Sequence, residues 1–300
     1  MKRLLIVLTA LLLLASGALA EEAAKLPIDL SGGKAPLMKY APDLMVYEDQ
    51  SIRVERGRVQ SKEFTCTYYY AIVKVADASQ LRTLPADNKD FCSSTRVSAI
   101  KMANRVRSVL AINGDFTASF DGNSSNSFIL RQGKVYRGTV EPNLDVLLID
   151  EDGDFHIIPA GPEQESMDLT TVDGKQVINA FQFGPALVVN GEKVSDEVLL
   201  DEGRCPVFAQ PGNRNQRMAI AQIDHLTYMV VCCSHFGATL PTLRDIAMSI
   251  APCQTVYNLD GGNSTQMIFL GKRVNSNNDG SEDRSITDII YFATTDESGS

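Results

Sequence analysis

Short strand-like runs joined by turn sequences are the feature that most restricts how this chain can fold. Three pairs of runs lie close together along the sequence, at 128–130 with 135–137, 146–149 with 155–158, and 218–223 with 226–233. β-Branched and other apolar residues dominate the runs, and Gly, Asn or Asp lies in the turns, which is typical of β-hairpins. The Asn190-Gly191 pair after 186–189 predicts a fourth hairpin.

Two amphipathic segments interrupt the strands. The first spans 95–107, behind a helix cap that residues 93–95 offer, and the second begins at Thr239 with Pro241 in its first turn. The order strand, helix, strand over 226–259 predicts a crossover, so part of the sheet should be parallel. We therefore expect an α+β fold, with a mixed β-sheet, packed helices and several β-hairpins in a single domain.

The first 20 residues have the organisation of a signal peptide. Lys2 and Arg3 precede an apolar run over 4–15, and the small residues of 18–20 suit a signal peptidase. That run is shorter than the about 20 residues of a membrane-spanning helix, and an uncleaved N-terminal anchor is the alternative. We expect a secreted or extracytoplasmic protein of the cell envelope, without stable membrane insertion after cleavage.

The remaining chain divides by composition. Residues 21–40 are expected to be a tether, 41–94 to be N-terminal strands packing on the main domain, and 95–296 to be the main domain itself. The chain has 28 Lys and Arg against 37 Asp and Glu, and loss of Lys2 and Arg3 with the signal leaves 26 against 37, a net charge of −11. Nucleic acid is not an expected partner, because it requires a basic footprint. The sequence indicates no oligomeric state.

Two buried strands run directly into turns rich in Asn, Gly and Asp. The strand at 109–112 ends at Asn113, and the strand at 256–259 ends at Asp260. Each of these strands follows an amphipathic helix, and ligands commonly bind at the carboxyl ends of strands connected in this way. The glycines in the turns also let backbone amides approach an anion. These sequences are also ordinary turn chemistry. The functional interpretation is favoured because both turns present a carboxylate that a tight turn does not need.

Arginines near the predicted strands could pair with an anionic ligand. The planar guanidinium group can donate two hydrogen bonds to a phosphate. Arg131 borders the first hairpin, and Arg217 leads directly into the strand at 218–223. Arg217 is the preferred candidate because it adjoins a buried strand rather than a loop tip.

Five motifs in this order resemble those of the phosphodiester glycosidase family. They lie at 111–116, 183–188, 217–222, 237–240 and 258–265, and the resemblance covers roughly 95–293. It implies a hydrolase that cleaves the bond between the anomeric carbon of a sugar and a phosphodiester oxygen. The implied substrate is a sugar phosphodiester or an envelope glycan.

The implied reaction passes through an oxocarbenium-like transition state that a carboxylate stabilises. We predict Asp260 as the essential carboxylate, acting as nucleophile or as base for water, and Asp115 as general acid or orienting group. The predicted substrate-binding residues are Arg217, Gly261 and Gly262 for phosphate, Asn113, Asn258 and Ser264 for the sugar or Asp260, and the neighbouring Gly114 and Arg131. No cofactor and no zinc site are expected, although Asp115 and Asp260 could equally bind a divalent cation such as calcium.

Two other functions fit the same residues. The first is a non-catalytic envelope glycan-binding module that grips a sugar with these loops. The second is a metal-dependent phosphodiesterase that breaks the P–O bond instead of the C–O bond.

Overall fold

Strands make up most of the regular structure of this protein, whose computed structural model describes residues 31–116, 127–206, 210–275 and 284–296. The helices in these ranges are α1 (Ala99–Arg105), α2 (Asp196–Leu199) and α3 (Leu240–Ile250). The strands are β1 (Val46–Glu48), β2 (Ile52–Ser61), β3 (Cys66–Val75), β4 (Leu81–Pro85), β5 (Leu110–Asn113), β6 (Ile129–Arg131), β7 (Lys134–Arg137), β8 (Val146–Asp150), β9 (Phe155–Ile158), β10 (Thr171–Val172), β11 (Lys175–Phe181), β12 (Ala186–Val189), β13 (Glu192–Lys193), β14 (Asn215–Asp224), β15 (Thr227–Ala238), β16 (Thr255–Leu259), β17 (Met267–Phe269), β18 (Lys272–Arg273) and β19 (Asp288–Phe292).

The strands form three sheets. The eight-stranded sheet has the order β1-β2-β3-β15-β14-β16-β12-β13, and the five-stranded sheet has the order β18-β17-β5-β19-β4. The third sheet follows the order β7-β6-β11-β8-β9, with β10 beside β11. One apolar core joins the large sheet to both others, and α3 covers the opposite face of the large sheet. Burial of both faces explains why β14 and β15 are almost continuously apolar rather than alternating.

The predicted hairpins are confirmed. β6 pairs with β7, β8 with β9, β12 with β13 and β14 with β15, each in antiparallel register. The predicted start of α3 is also confirmed, because the Thr239 side chain accepts a hydrogen bond from the Thr242 amide at 3.2 Å. The predicted cap at 93–95 is wrong. α1 begins at Ala99 because Val97 is held in a β-bridge with Ile286.

The predicted α+β fold with packed helices and a mixed sheet is wrong, because the chain forms a β-rich fold of three sheets. The predicted crossover does exist, and β15 and β16 run parallel to each other. However, β14 lies between them and pairs antiparallel with both. The crossover therefore creates no parallel pair, and α3 is the longest helix in the described residues at 11 residues.

The described ranges contain no helix with the length and apolar character that crossing a bilayer requires. The predicted signal peptide at 1–20 and the first part of the predicted tether lie outside the described residues. The strands β1, β2 and β3, from the predicted 41–94 segment, form one end of the large sheet, where β3 pairs with β15.

Candidate active site

The two predicted turns meet, although their strands belong to different sheets. β5 ends at Asn113 in the five-stranded sheet, and β16 ends at Leu259 in the eight-stranded sheet. The side-chain amide of buried Asn113 donates a hydrogen bond to the backbone oxygen of Asp260 at 2.8 Å. Its oxygen accepts a hydrogen bond from the amide of Gln266 at 3.1 Å. Asn113 thereby fixes the second turn against the end of β5.

A small cleft, partly open to solvent, lies where the turns meet. It contains both predicted catalytic carboxylates and three of the predicted substrate-binding residues. The lining residues are Arg96, Asn113, Gly114, Asp115, Phe116, Asp260, Ser264, Arg284, Ser285, Ile286, Thr287 and Asp288. The cleft therefore places acidic and cationic side chains around one space.

Asp260 lies in the wall of the cleft, and its carboxyl has a raised pKa. Burial raises the pKa of its carboxyl to about 6, and the nearby Asp115 carboxylate acts in the same direction. Hydrogen bonds from Ser264 and from the Gly261 amide, the latter at 2.9 Å to Oδ1, partly offset the increase in pKa. A carboxyl with this pKa is mostly ionised at neutral pH yet remains a fair proton acceptor, which suits a nucleophile or general base.

Asp115 is held by a buried arginine. Nη2 of Arg131 lies 2.6 Å from Oδ1 of Asp115, and both side chains are inaccessible to solvent. Nη1 of Arg131 donates to the backbone oxygens of Leu130 and Ala180, and the guanidinium carbon lies 3.9 Å from the ring centroid of Phe181. Arg131, predicted to bind substrate, thus lies beneath the cleft and holds Asp115.

The structure does not bring Arg217 to the cleft. Its buried guanidinium donates to the backbone oxygens of Gln210, Asn213 and Ala238 at 2.8, 3.0 and 3.2 Å. Burial lowers the pKa of Arg217 to about 10. These contacts brace the start of β14, which lies directly behind the Gly261 turn, rather than presenting a cation to a ligand.

The remaining predicted residues shape the turns. A Cβ on Gly261 would lie 2.6 Å from the Gln216 oxygen, and Gly262 has a φ of +56°, so both turn positions favour glycine. The buried Asn258 donates to the backbone oxygen of Gly184 at 2.7 Å and is absent from the cleft lining. Ser264 and Gly114 line the cleft.

Three charged cleft residues are missing from the sequence prediction: Arg96, Arg284 and Asp288. Arg96 comes from the loop before α1, Arg284 from the segment before β19, and Asp288 is the first residue of β19. The available signal is a carboxylate at the head of an otherwise apolar strand, with an arginine four positions earlier. Burial and the nearby Asp115 hold the pKa of Asp288 well above its ordinary value.

The carboxylates of the cleft are the predicted ligands for a divalent cation. Across the described ranges, no group of three or more His, Cys, Asp or Glu side chains is arranged to hold a metal ion. Asp115 and Asp260 both reach the cleft, and Arg131 already pairs with one of them at 2.6 Å. A divalent cation on these two carboxylates stays a prediction.

Comparison with known proteins identifies related sequences and folds. The sequence profile of the phosphodiester glycosidase family matches residues 107–293. The structure is similar to the catalytic domain of zebrafish N-acetylglucosamine-1-phosphodiester alpha-N-acetylglucosaminidase, auto-inhibited by pro-peptide, with 16% identity and a TM-score of 0.62 over 89% of this chain and 97% of that chain. It is also similar to a hypothetical protein from Synechocystis, with 15% identity and a TM-score of 0.59 over 81% of this chain and 62% of that chain. No curated protein sequence matches the chain.

Proposed function

The chain belongs to the phosphodiester glycosidase family, and we propose that it is an exported hydrolase that cleaves the glycosidic bond of a sugar 1-phosphodiester. The observation that carries the proposal is the composition of the cleft. It combines Asp260, a carboxylate suited to attack or to activating water, with the cations Arg96 and Arg284. A sugar 1-phosphodiester presents an electrophilic anomeric carbon beside an anionic phosphate, so it matches both groups.

Asp260 can act by either of two reaction routes, as a nucleophile or as a general base. As a nucleophile it bonds to the anomeric carbon while the C–O bond to phosphate breaks, and the electron pair leaves with a phosphate monoester before water hydrolyses the glycosyl ester. As a base it takes a proton from water while the water oxygen attacks the same carbon. Phosphate is a weakly basic leaving group, so either route depends less on proton donation than the cleavage of an alcohol does.

Arg284 and Arg96 are the proposed phosphate-binding pair, in place of Arg217. Both line the cleft, and the positive charge of Arg284 lowers the pKa of the Asp260 carboxyl, which indicates electrostatic contact between them. Arginine pairs effectively with phosphate oxygens because it donates parallel hydrogen bonds. On this basis Arg284→Gln should raise KM for a sugar phosphodiester by about tenfold or more, while Arg217→Gln should act mainly on stability.

The decisive experiment measures the release of free sugar from a panel of sugar 1-phosphodiesters. We expect turnover by the natural protein and a loss of at least about 10³-fold in kcat for Asp260→Asn. Asp173→Asn is the matched control, because its side chain is 80% exposed, and it should retain full activity. Full turnover by a folded Asp260→Asn protein would remove Asp260 from the mechanism, and binding without any product would indicate a glycan-binding module.

The position of bond cleavage separates the proposed reaction from phosphodiesterase chemistry. In isotopically labelled water, attack at the anomeric carbon places the label on the released sugar. Attack at phosphorus places it on the phosphate instead, and that result would refute the proposed glycosidase. A parallel assay after treatment with a chelator tests the predicted alternative in which calcium binds Asp115 and Asp260.

Export is part of the proposal and has its own test. Expression of the full chain in a bacterial host should deliver a protein outside the cytoplasm whose N-terminal residue is Glu21. A protein that keeps Met1 and sediments with membranes would support the uncleaved anchor.

A further inference from the structure

Two buried carboxylates in the cleft share one cation. Nη2 of Arg131 lies 2.6 Å from Oδ1 of Asp115 and 3.8 Å from Oδ2 of Asp288, and all three side chains are at most 1% exposed. One oxygen of each carboxylate, Oδ2 in both cases, is buried without a hydrogen-bond partner in the part of the chain that the structure describes. A single guanidinium charge balances only one of two buried negative charges.

The packing around Gly114 keeps the Asp288 carboxylate in this position. A Cβ on Gly114 would lie 2.3 Å from Oδ2 of Asp288, so the absence of a side chain makes the space that the carboxylate occupies. The Gly114 amide also donates to the backbone oxygen of Asp288 at 3.3 Å. The carboxylate is therefore built into the floor of the cleft.

The charged groups around Asp288 come from several elements. Asp115 follows β5, Arg131 belongs to β6, and Asp260 follows β16. Arg96 and Arg284 line the same cleft as Asp288, and Thr287 contributes a hydroxyl hydrogen bond. On the other side, β4 places the uncharged Pro85 opposite Asp288. The charged side chains of β4 and α1 are engaged elsewhere or exposed, since Arg82 donates to Ser79 and Gly32, Arg105 donates to Ala86 and Asn88, and Lys101 is exposed.

The closer carboxylate takes the arginine charge. Asp115, at 2.6 Å, forms the ion pair, which leaves Asp288 at 3.8 Å beside a like charge, with both carboxylates at most 1% exposed. Two like charges that share a buried site do not both ionise readily, and the less well-paired group keeps its proton. Desolvation and Asp115 together raise the pKa of Asp288 well above its ordinary value, in agreement with the geometry.

We propose that Asp288 carries a proton and that this neutral carboxyl allows the cleft to accept an anionic phosphodiester. The inference rests on the proposed function. Because Arg131 neutralises only Asp115, an ionised Asp288 would add to the negative charge of Asp260 and oppose a negatively charged substrate, whereas a protonated Asp288 removes that charge and offers a hydrogen-bond donor. Asp288 is thus a positioning residue, and its protonation state controls substrate affinity.

Infrared spectroscopy tests the proton directly. At pH 7 the protein should show the carbonyl band of a buried protonated carboxyl, and Asp288→Asn should remove it, while the exposed control Asp173→Asn leaves it intact. Asp115→Asn should also remove the band, because Arg131 then balances the charge of Asp288 and Asp288 ionises. A band unaffected by Asp288→Asn, or no such band in the natural protein, would overturn the inference.

Ligand binding tests the consequence for affinity. The probe is a sugar phosphonate monoester in which a methylene group replaces the anomeric oxygen, because it cannot be hydrolysed and keeps one negative charge from pH 5 to 9. In an Asp260→Asn background, which removes the titration of Asp260, affinity should fall by about tenfold or more over the pH range in which the infrared band of Asp288 is lost. The Asp260→Asn, Asp288→Asn double variant should change by less than about twofold over the same range.

The two measurements separate failure of this inference from failure of the proposed function. Equal pH dependence of the two variants would refute the role of Asp288 in admitting an anion while leaving the phosphodiester as substrate. If Asp288→Asn removes the infrared band but neither protein binds the probe, the proposed function and the anion role are refuted together. The proton on Asp288 would then stand.

Discussion

Replacing Arg131 by methionine should be among the most damaging single changes to the stability of this protein. The guanidinium pairs with Asp115 at 2.6 Å, donates to the backbone oxygens of Leu130 and Ala180, and packs 3.9 Å from the ring of Phe181. Methionine restores much of the volume but leaves the Asp115 carboxylate buried without a cation. Removing one partner of a buried ion pair costs about 3–5 kcal/mol, a large share of the about 5–15 kcal/mol that stabilises a folded domain.

Urea unfolding followed by circular dichroism measures this loss. With a denaturant slope of about 3 kcal/mol per molar urea, the midpoint should fall by about 1 to 1.7 M. Arg53→Met is the matched control, because the ion pairs of Arg53 with Glu48 and Glu55 are exposed, and its midpoint should not move. Asp115→Asn should cost less than Arg131→Met, since Arg131 keeps Asp288 at 3.8 Å. Equal midpoints for the Arg131 and Arg53 variants would refute the reasoning.

Three further predictions concern pH and packing. Because the pKa of Asp260 is raised to about 6, ionisation of its carboxyl opposes folding increasingly as the pH rises from about 4 and fully above the folded pKa. Asp260→Asn should therefore stabilise the protein by about 1 kcal/mol at pH 8, after allowance for partial exposure, and this advantage should vanish below about pH 4 in thermal melts. The hydrogen bond to Asp150 raises the pKa of His156, so the charged imidazole stabilises the fold fully below about pH 6.5, and this effect is lost as the pH rises through the folded pKa. His156→Gln should therefore lower Tm at pH 6 but not at pH 9. Equal effects at the two pH values would contradict this. Gly114→Ala should lower the free energy of unfolding by about 1–3 kcal/mol and impair turnover, because the new Cβ would lie 2.3 Å from Asp288. An unchanged Tm and kcat would show that Asp288 moves aside without cost.

Local features of the fold were predictable from sequence, and the arrangement of the sheets was not. The hairpin β14–β15 and the Thr239 cap of α3 depend on neighbouring residues, so turn chemistry and periodicity identify them. The position of β14 between β15 and β16 depends on pairing between distant segments, for which a single sequence carries no local signal. The crossover therefore led to the incorrect prediction of a mixed sheet, because the sequence does not show that β14 lies between β15 and β16.

The candidate site shows the same division. The turns at Asn113 and Asp260 were predictable because each joins an apolar strand to a carboxylate and glycines. Arg217 was selected for adjoining a buried strand, but that burial directs its guanidinium to backbone oxygens instead of a ligand. Asp288 is a single carboxylate at the start of an apolar strand, and only the fold reveals that it shares Arg131 with Asp115.

The hydrogen bond from Asn113 to the backbone of Asp260 has a consequence for assembly. It joins the five-stranded sheet to the eight-stranded sheet, while Arg131 reaches the same place from the third sheet. The proposed reaction centre therefore forms only after all three sheets have docked, so a chain with one sheet detached would lack it. If the proposed activity holds, turnover would accordingly be a stricter measure of complete folding for this protein than any spectroscopic signal from its strands.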